Sequence, residues 1–127
     1  MELNRGNKRS FGTSGEKVAK DYLINSGYQI LFQNYRVGRM GEIDIIAGKN
    51  EYICFIEVKT RTGNAFGTPA EAVTYRKQQN IKRLAQIYMK QYKLYNCNMR
   101  FDIVEVMVNK SDREFVVKNI NLIENAF

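Results

Sequence analysis

Gly41-Glu42-Ile43-Asp44-Ile45-Ile46, followed by Tyr52-Ile53-Cys54-Phe55-Ile56-Glu57-Val58-Lys59, sets an aspartate, a glutamate and a lysine into two consecutive apolar runs. Both runs are rich in Ile, Val, Phe and Tyr, residues that suit a pleated, half-buried surface, and the turn-forming Gly48-Lys49-Asn50-Glu51 joins them. The pattern predicts a β-hairpin. If Gly48 and Glu51 close a two-residue loop, Ala47 faces Tyr52, Ile46 faces Ile53, Asp44 faces Phe55 and Glu42 faces Glu57. Period-two alternation then projects Asp44, Glu57 and Lys59 from one face. Asp44 and Glu57 become diagonal neighbours with Cβ atoms roughly 7–8 Å apart, near enough for one cation to be held between two carboxylates. A three-residue loop would instead send the acids to opposite faces.

The rest of the chain supplies a frame for this hairpin. Arg5, Lys8 and Arg9 among Asn and Gly read as a basic, loosely ordered arm over residues 1–12. Thr13 with Glu16 fits a capping box, Val18, Ala19, Tyr22 and Leu23 form an apolar stripe, and Gly27 suits the stop of that helix. Tyr28 to Arg36 reads as a strand. Thr68-Pro69-Ala70-Glu71 predicts the start of a helix running to about Tyr92, with Val73, Ile81, Leu84, Ala85, Tyr88 and Tyr92 on its apolar stripe. Lys77 falls in the middle of that stripe and Gln78 at its edge. Two further strands are expected near Arg100 to Val108 and Glu114 to Ile120. The order α-β-β-β-α-β-β implies an α/β sandwich with a central mixed β-sheet flanked by helices.

Composition narrows the chemistry. A chain of 127 residues, 44% hydrophobic, fits a single domain able to bury its own core. With no histidine, imidazole acid-base catalysis and HExxH zinc chemistry are excluded, and carboxylates, Lys, Tyr and hard metals remain. Two cysteines, Cys54 and Cys97, are too few for a disulfide framework or a zinc cage. No apolar run nears the roughly 20 residues that span a bilayer, and the start is polar, so the expectation is a cytoplasmic protein without membrane association. The net charge of +7 suggests a polyanionic partner through counterion release at phosphates, although a solvated basic surface has the same composition.

Two carboxylates on adjacent strands can hold Mg²⁺ or Mn²⁺, which prefer oxygen ligands and keep positions open for a phosphate oxygen. Lys59, on the same face as Glu57, would neutralise the phosphate and orient a water. The competing interpretation makes Asp44, Glu57 and Lys59 the polar face of a solvated hairpin, with an ordinary Glu57–Lys59 ion pair. Against it, Tyr52 to Ile56 is apolar on both faces, as in a central strand, and charge buried there without a metal is costly.

Gly41-Glu42-Ile43-Asp44, Phe55-Ile56-Glu57-Val58-Lys59-Thr60-Arg61, Phe66-Gly67-Thr68-Pro69 and Arg100-Phe101-Asp102 together resemble the YraN-like family of small bacterial proteins, over about Gly12 to Val108. That family resembles the PD-(D/E)XK nuclease superfamily, with archaeal Holliday junction resolvases as its nearest small relatives. The resemblance implies a restriction-endonuclease-like fold and a metal-dependent endonuclease acting on DNA, including branched or structured DNA, with a homodimer by analogy to the resolvases. It implies a metal-binding aspartate at Asp44, a second acid at Glu57, a catalytic lysine at Lys59 and a helix-borne glutamate at Glu16. The proline of the motif's name is missing, Ile43 standing before Asp44. Some relatives add a Gln or Lys from the following helix, for which Lys77 and Gln78 are the candidates, Lys77 alternatively snorkelling over the core. Arg36, Arg39 and Arg61 flank the proposed centre, and with Arg5, Lys8 and Arg9 are candidates for contacts to a nucleic-acid backbone. Phe11, Tyr35 and Phe66 are better explained by packing than by base stacking. Asp102 is expected as an ion-pair partner on the fourth strand. The rival function is a nucleic-acid-binding module or adaptor that keeps the fold and cuts nothing.

Overall fold

The computed structural model describes residues 8–62, 67–109 and 115–127 of the chain. Helix α1 (Lys8–Asn25) leads into strands β1 (Gln29–Arg36), β2 (Glu42–Lys49) and β3 (Tyr52–Thr62). A short 3-10 turn (Ala70–Ala72), helix α2 (Tyr75–Gln91) and strands β4 (Asn98–Val108) and β5 (Val117–Ile123) complete the order read from the sequence. The five strands lie side by side in the order β1-β2-β3-β4-β5. Neighbours are antiparallel except β3 and β4, which are parallel because α2 carries the chain back across the sheet between them.

The helices cover opposite faces. Ile81, Leu84, Ala85, Tyr88 and Met89 of α2 pack with Ile46, Ile53, Phe55 and Ile103, whereas Ala19 and Leu23 of α1 pack with Ile45, Ala47, Cys54, Ile56, Val104 and Val106. Central β3 is therefore buried from Ile53 through Glu57, as its doubly apolar sequence requires. Phe55 is fully enclosed, and burial of a side chain of that kind contributes roughly 1.5–3 kcal/mol. Tyr92, expected on the buried stripe of α2, is 46% exposed, because it lies just past the helix end.

Three local expectations are corrected. First, α1 begins at Lys8, so Thr13 is inside the helix and not its N-cap, and residues 8–12 belong to a helix rather than a loose arm. The N–H groups that a cap at Thr13 would serve already have carbonyl partners one turn back. Arg5 lies outside the described residues. The C-terminal stop does occur at Gly27, at φ +92°, where Tyr28 N–H donates to the Leu23 carbonyl at 2.9 Å and Gly27 N–H to that of Ile24 at 3.1 Å.

Second, Thr68 caps the 3-10 turn and not α2. Thr68 N–H donates to Glu71 Oε1 at 2.6 Å and Glu71 N–H to Thr68 Oγ1 at 3.2 Å, a reciprocal box that closes one turn only. Buried Val73 is extended (φ −102°, ψ 106°), and Thr74 provides the real cap of α2, its side chain accepting Lys77 N–H at 3.2 Å.

Third, the hairpin register is shifted by two residues. Lys49 pairs with Tyr52, Ala47 with Cys54, Ile46 with Phe55 and Ile45 with Ile56, so Asn50 and Glu51 form the turn, Asn50 taking φ +56°. An even shift preserves parity but moves Asp44 from Phe55 towards Glu57. Alternation also fails at the end of β2: Ile43 packs in the layer of Ile46, not that of Ile45. On the far side of the sheet, β5 ends three residues later than the pattern predicts.

Candidate metal centre

The centre forms where β2 parts from β3. Beyond the Ile45–Ile56 pair the backbone ladder stops, and the Asp44 side chain takes its place, Oδ2 accepting the Val58 N–H at 2.8 Å. Burial pushes the Asp44 carboxyl up to about 8, with the Glu57 charge next in effect and Glu16 adding to it; the Val58 N–H and Lys77 oppose the shift. A carboxyl in this condition gains from a bound cation.

Glu57 is 3% exposed. Its Oε2 accepts Lys77 Nζ and lies 3.6 Å from Lys59 Nζ, while Oε1 is buried with no hydrogen-bond partner among the described residues. Two lysines thus share one carboxylate oxygen and leave the other orphaned, an arrangement costly for a buried anion. Burial disfavours the Lys77 ammonium, but its contact with Glu57 more than offsets that and raises its pKa.

Glu16, Glu42 and Asp44 form a second acidic grouping, with one carboxylate oxygen of each within 4.8 Å of the others. Asn34 of β1 bridges it: its amide donates to Glu16 Oε1 at 3.0 Å and to Glu42 Oε2. The backbone of Asn34 is left-handed at φ +55°, a conformation that Asn tolerates better than most residues. Arg36 closes the rim by donating to Glu42 Oε1 from Nη2 at 2.8 Å and Nε at 3.2 Å.

Of the residues singled out from sequence, Glu16, Asp44, Glu57, Lys59 and Lys77 converge on this locality. Glu16 makes no capping box; its carboxylate is engaged by Asn34. Lys77 does not merely snorkel, since its amine reaches Glu57. Gln78 turns elsewhere, Nε2 donating to the Val73 carbonyl at 3.0 Å, so it braces the extended kink before α2 and is not an auxiliary of the centre. Arg61 is likewise corrected from a backbone contact to a structural ion pair: its side chain is only 10% exposed, bonded to Glu105 Oε2 at 3.1 Å and the Gly67 carbonyl at 2.8 Å. Arg36 and Arg39 border a groove of about 300 Å³ beside Glu42. Lys8 and Arg9 begin α1, the helix that carries Glu16; Phe66 lies outside the described residues. Tyr35 is a core residue, its hydroxyl donating to Gln91 Oε1 at 2.8 Å, and Asp102 pairs with Arg100 as expected, Nε to Oδ2 at 2.9 Å.

Sequence reasoning missed Glu42 and Asn34 as members of the site. Glu42 carried a signal, standing two residues before Asp44 in the same acidic run. Asn34 carried none, because its place depends on the pairing of β1 with β2.

The donor set fits a hard divalent cation. Glu16, Glu42 and Asp44 bring carboxylate oxygens alone within reach of one another, and Glu57, outside that grouping but near enough to Asp44 to raise its pKa, adds a buried oxygen with no hydrogen-bond partner among the described residues.

A model of the family described as Uncharacterised protein family UPF0102 matches residues 15–106. The chain is 48% identical to a UPF0102 protein of Acetivibrio thermocellus, covering 98% of this chain and 95% of the relative. It is 47% identical to one of Caldicellulosiruptor saccharolyticus, covering 95% and 99%. Among solved structures, that of restriction endonuclease BGLII complexed with a DNA 16-mer is 13% identical, with 90% of this chain and 68% of that one covered at a TM-score of 0.25. Among the described residues no helix is long and apolar enough to cross a membrane.

Proposed function

The chain belongs to the uncharacterised protein family UPF0102, and for it we propose a Mg²⁺- or Mn²⁺-dependent endonuclease that hydrolyses phosphodiester bonds in DNA, branched or structured DNA included. The observation that carries this reading is Glu57, almost fully buried with one oxygen unpartnered among the described residues, next to an Asp44 whose carboxyl is pushed up by burial and by that same glutamate. A buried glutamate crowded by a half-buried aspartate is a poor device for stability and a good one for gripping a divalent cation.

In this reading Asp44 and Glu57 would hold the metal, and Glu16 and Glu42, whose carboxylates lie close to that of Asp44, would complete its oxygen environment. The bound cation would polarise a phosphoryl oxygen and acidify a water. Lys59, with its amine partly exposed beside Glu57, orients that water and neutralises the phosphate as charge builds on its oxygens. Water attacks phosphorus, the bond to the leaving sugar oxygen breaks, and the products are a 5′ or 3′ phosphate end and a hydroxyl. Arg36 and Arg39 at the rim, with Arg5, Lys8 and Arg9 at the start of the chain, supply charge for the nucleic-acid backbone. The proposed setting is cytoplasmic, with a homodimer by resemblance to junction resolvases.

The second reading, a nucleic-acid-binding module or adaptor without cleavage, is favoured by one contact: the ion pair of Lys77 with Glu57, which gives that carboxylate a counter-charge from the chain itself. Incubating labelled duplex, single-stranded, flap and four-way DNA with the protein and Mn²⁺, alongside Asp44→Asn, separates the two. Metal-dependent cleavage lost in the variant supports the nuclease. DNA retention without cleavage of any substrate supports the module.

A further inference from the structure

Lys77 reaches Glu57 from a different element than Lys59 does. Lys59 is two residues along the same strand, whereas Lys77 extends from the first turns of α2 and is 43% exposed, so part of its length is open to solvent. Its exposed side lines a cleft of about 230 Å³ together with Thr74, Arg76, Asn80 and Glu42. One flexible amine therefore borders two places: the buried carboxylate and a cleft with a second cation and two hydrogen-bonding side chains. Arg76 is exposed and has no ion-pair partner among the described residues.

We propose that Lys77 is an exchangeable internal cation: it occupies Glu57 in the metal-free protein, and on metal binding it moves to a substrate phosphate held in the adjacent cleft. The inference rests on the metal centre described above. Its physical reason is charge balance. A glutamate this deeply buried needs counter-charge at all times; Lys59 and Lys77 both reach it, and Lys77 is the closer of the two and the more exposed, hence the freer to leave. A divalent cation on the same carboxylate repels the ammonium at short range, in surroundings where screening by water is weak. The displaced amine then lies with Arg76, Thr74 and Asn80 in a cleft whose remaining wall is Met40, Ile81 and the Glu42 carboxylate, so two cations against one anion are left to meet a phosphodiester. Metal and DNA should consequently bind with positive coupling, each making room for the other's charge.

Calorimetric titration with Mn²⁺ and thermal melts of wild type, Lys77→Met and Lys77→Gln test the exchange. Both variants should bind Mn²⁺ tighter, by roughly five-fold or more. Lys77→Met should melt lower than wild type without metal and recover to the wild-type value in saturating Mn²⁺. A fixed structural ion pair would give the same deficit with and without metal, and that result, or unchanged or weaker Mn²⁺ affinity in both variants, overturns the proposal. Lys77→Gln retains a donor for Glu57 and serves if the methionine variant fails to fold. For the second half, anisotropy on uncut DNA should show Lys77→Gln weakening binding more in Ca²⁺ than without it; an equal loss in both conditions overturns the transfer to phosphate. Glu57→Gln distinguishes the levels. If it keeps full Mn²⁺ affinity the metal centre itself is wrong, whereas loss of Mn²⁺ affinity there with no gain in the Lys77 variants removes this inference alone.

Discussion

Asp44 Oδ2 accepts the Val58 N–H at 2.8 Å, so a side chain completes the hydrogen bonding of β3 at the point where the backbone of β2 leaves it. The carboxylate therefore has a structural duty as well as a chemical one. Below about pH 4, where the folded carboxyl is protonated, Asp44→Asn keeps an acceptor for Val58 and should match wild-type stability within a few tenths of a kcal/mol, while Asp44→Ala should lose about 1–3 kcal/mol by leaving that N–H unmatched. Both should lose divalent-metal binding. Denaturant melts beside metal calorimetry check the pair, and equal stability in the two variants would show that the hydrogen bond contributes nothing.

The same residue makes stability depend on pH. Its carboxyl is raised in the folded state from 3.8 to about 8, so over that interval the folded protein holds a proton that the unfolded chain has lost. Metal-free protein should lose stability as pH rises from about 4 to about 8, the native state being favoured at the acid end. Asp44→Asn should flatten that part of the profile. A wild-type profile that rises over the same range would contradict the assigned direction.

Lys59→Met should leave Mn²⁺ affinity nearly intact while lowering cleavage by roughly 10²-fold or more, as expected when a charge partner of the transition state is removed. Single-turnover rates on the best DNA substrate decide it. Wild-type turnover in the variant would reduce Lys59 to a partner of Glu57.

Gly15 controls how closely α1 approaches β3. A Cβ at Gly15 would overlap Thr60 Oγ1 and lie 3.3 Å from Thr60 Cβ, so Gly15→Ala pushes the helix off the strand and takes Glu16 with it. The expected cost is about 1–3 kcal/mol. Thr60→Ala in the same chain should recover most of it, because the nearest atom is removed. A double-mutant cycle with no coupling would place the origin of the effect elsewhere.

The two thiols should differ sharply. Cys54 is fully buried in β3, and burial pushes its thiol up to about 12, whereas Cys97 is only partly buried. Folded protein should therefore lose Cys97 to a thiol reagent and keep Cys54 until it unfolds. Mass spectrometry after timed alkylation reads the order directly.

The sandwich was legible because its signals are local. The all-apolar run Tyr52 to Ile56 requires cover on both faces, the stripe Ile81, Leu84, Ala85, Tyr88 supplies one helix for it, and Gly27 ends the other where a left-handed residue is needed. Element ends were read less well. Thr68-Pro69-Ala70-Glu71 has every mark of a helix start, yet the box it forms closes a single 3-10 turn before Val73 dives into the core. At the other helix, Thr13 and Glu16 imitate a cap within a longer helix because capping residues are polar residues, and polar residues also serve exposed helix faces and sites.

For the candidate centre, sequence alone determined the residue types and their parity: Asp44, Glu57 and Lys59 stand at spacings that an even hairpin register brings together, whichever even register forms. Tertiary structure decided the partners. The two-residue shift of the hairpin moved Asp44 towards Glu57, the β1–β2 pairing brought in Asn34 and Glu42, and the packing of α2 laid Lys77 on Glu57 while turning Gln78 away and locking Arg61 on Glu105. Those contacts join residues up to dozens of positions apart, and no local propensity encodes them. They exist because burying the apolar faces of both helices against one sheet leaves each long polar side chain only the few counter-charges within its reach.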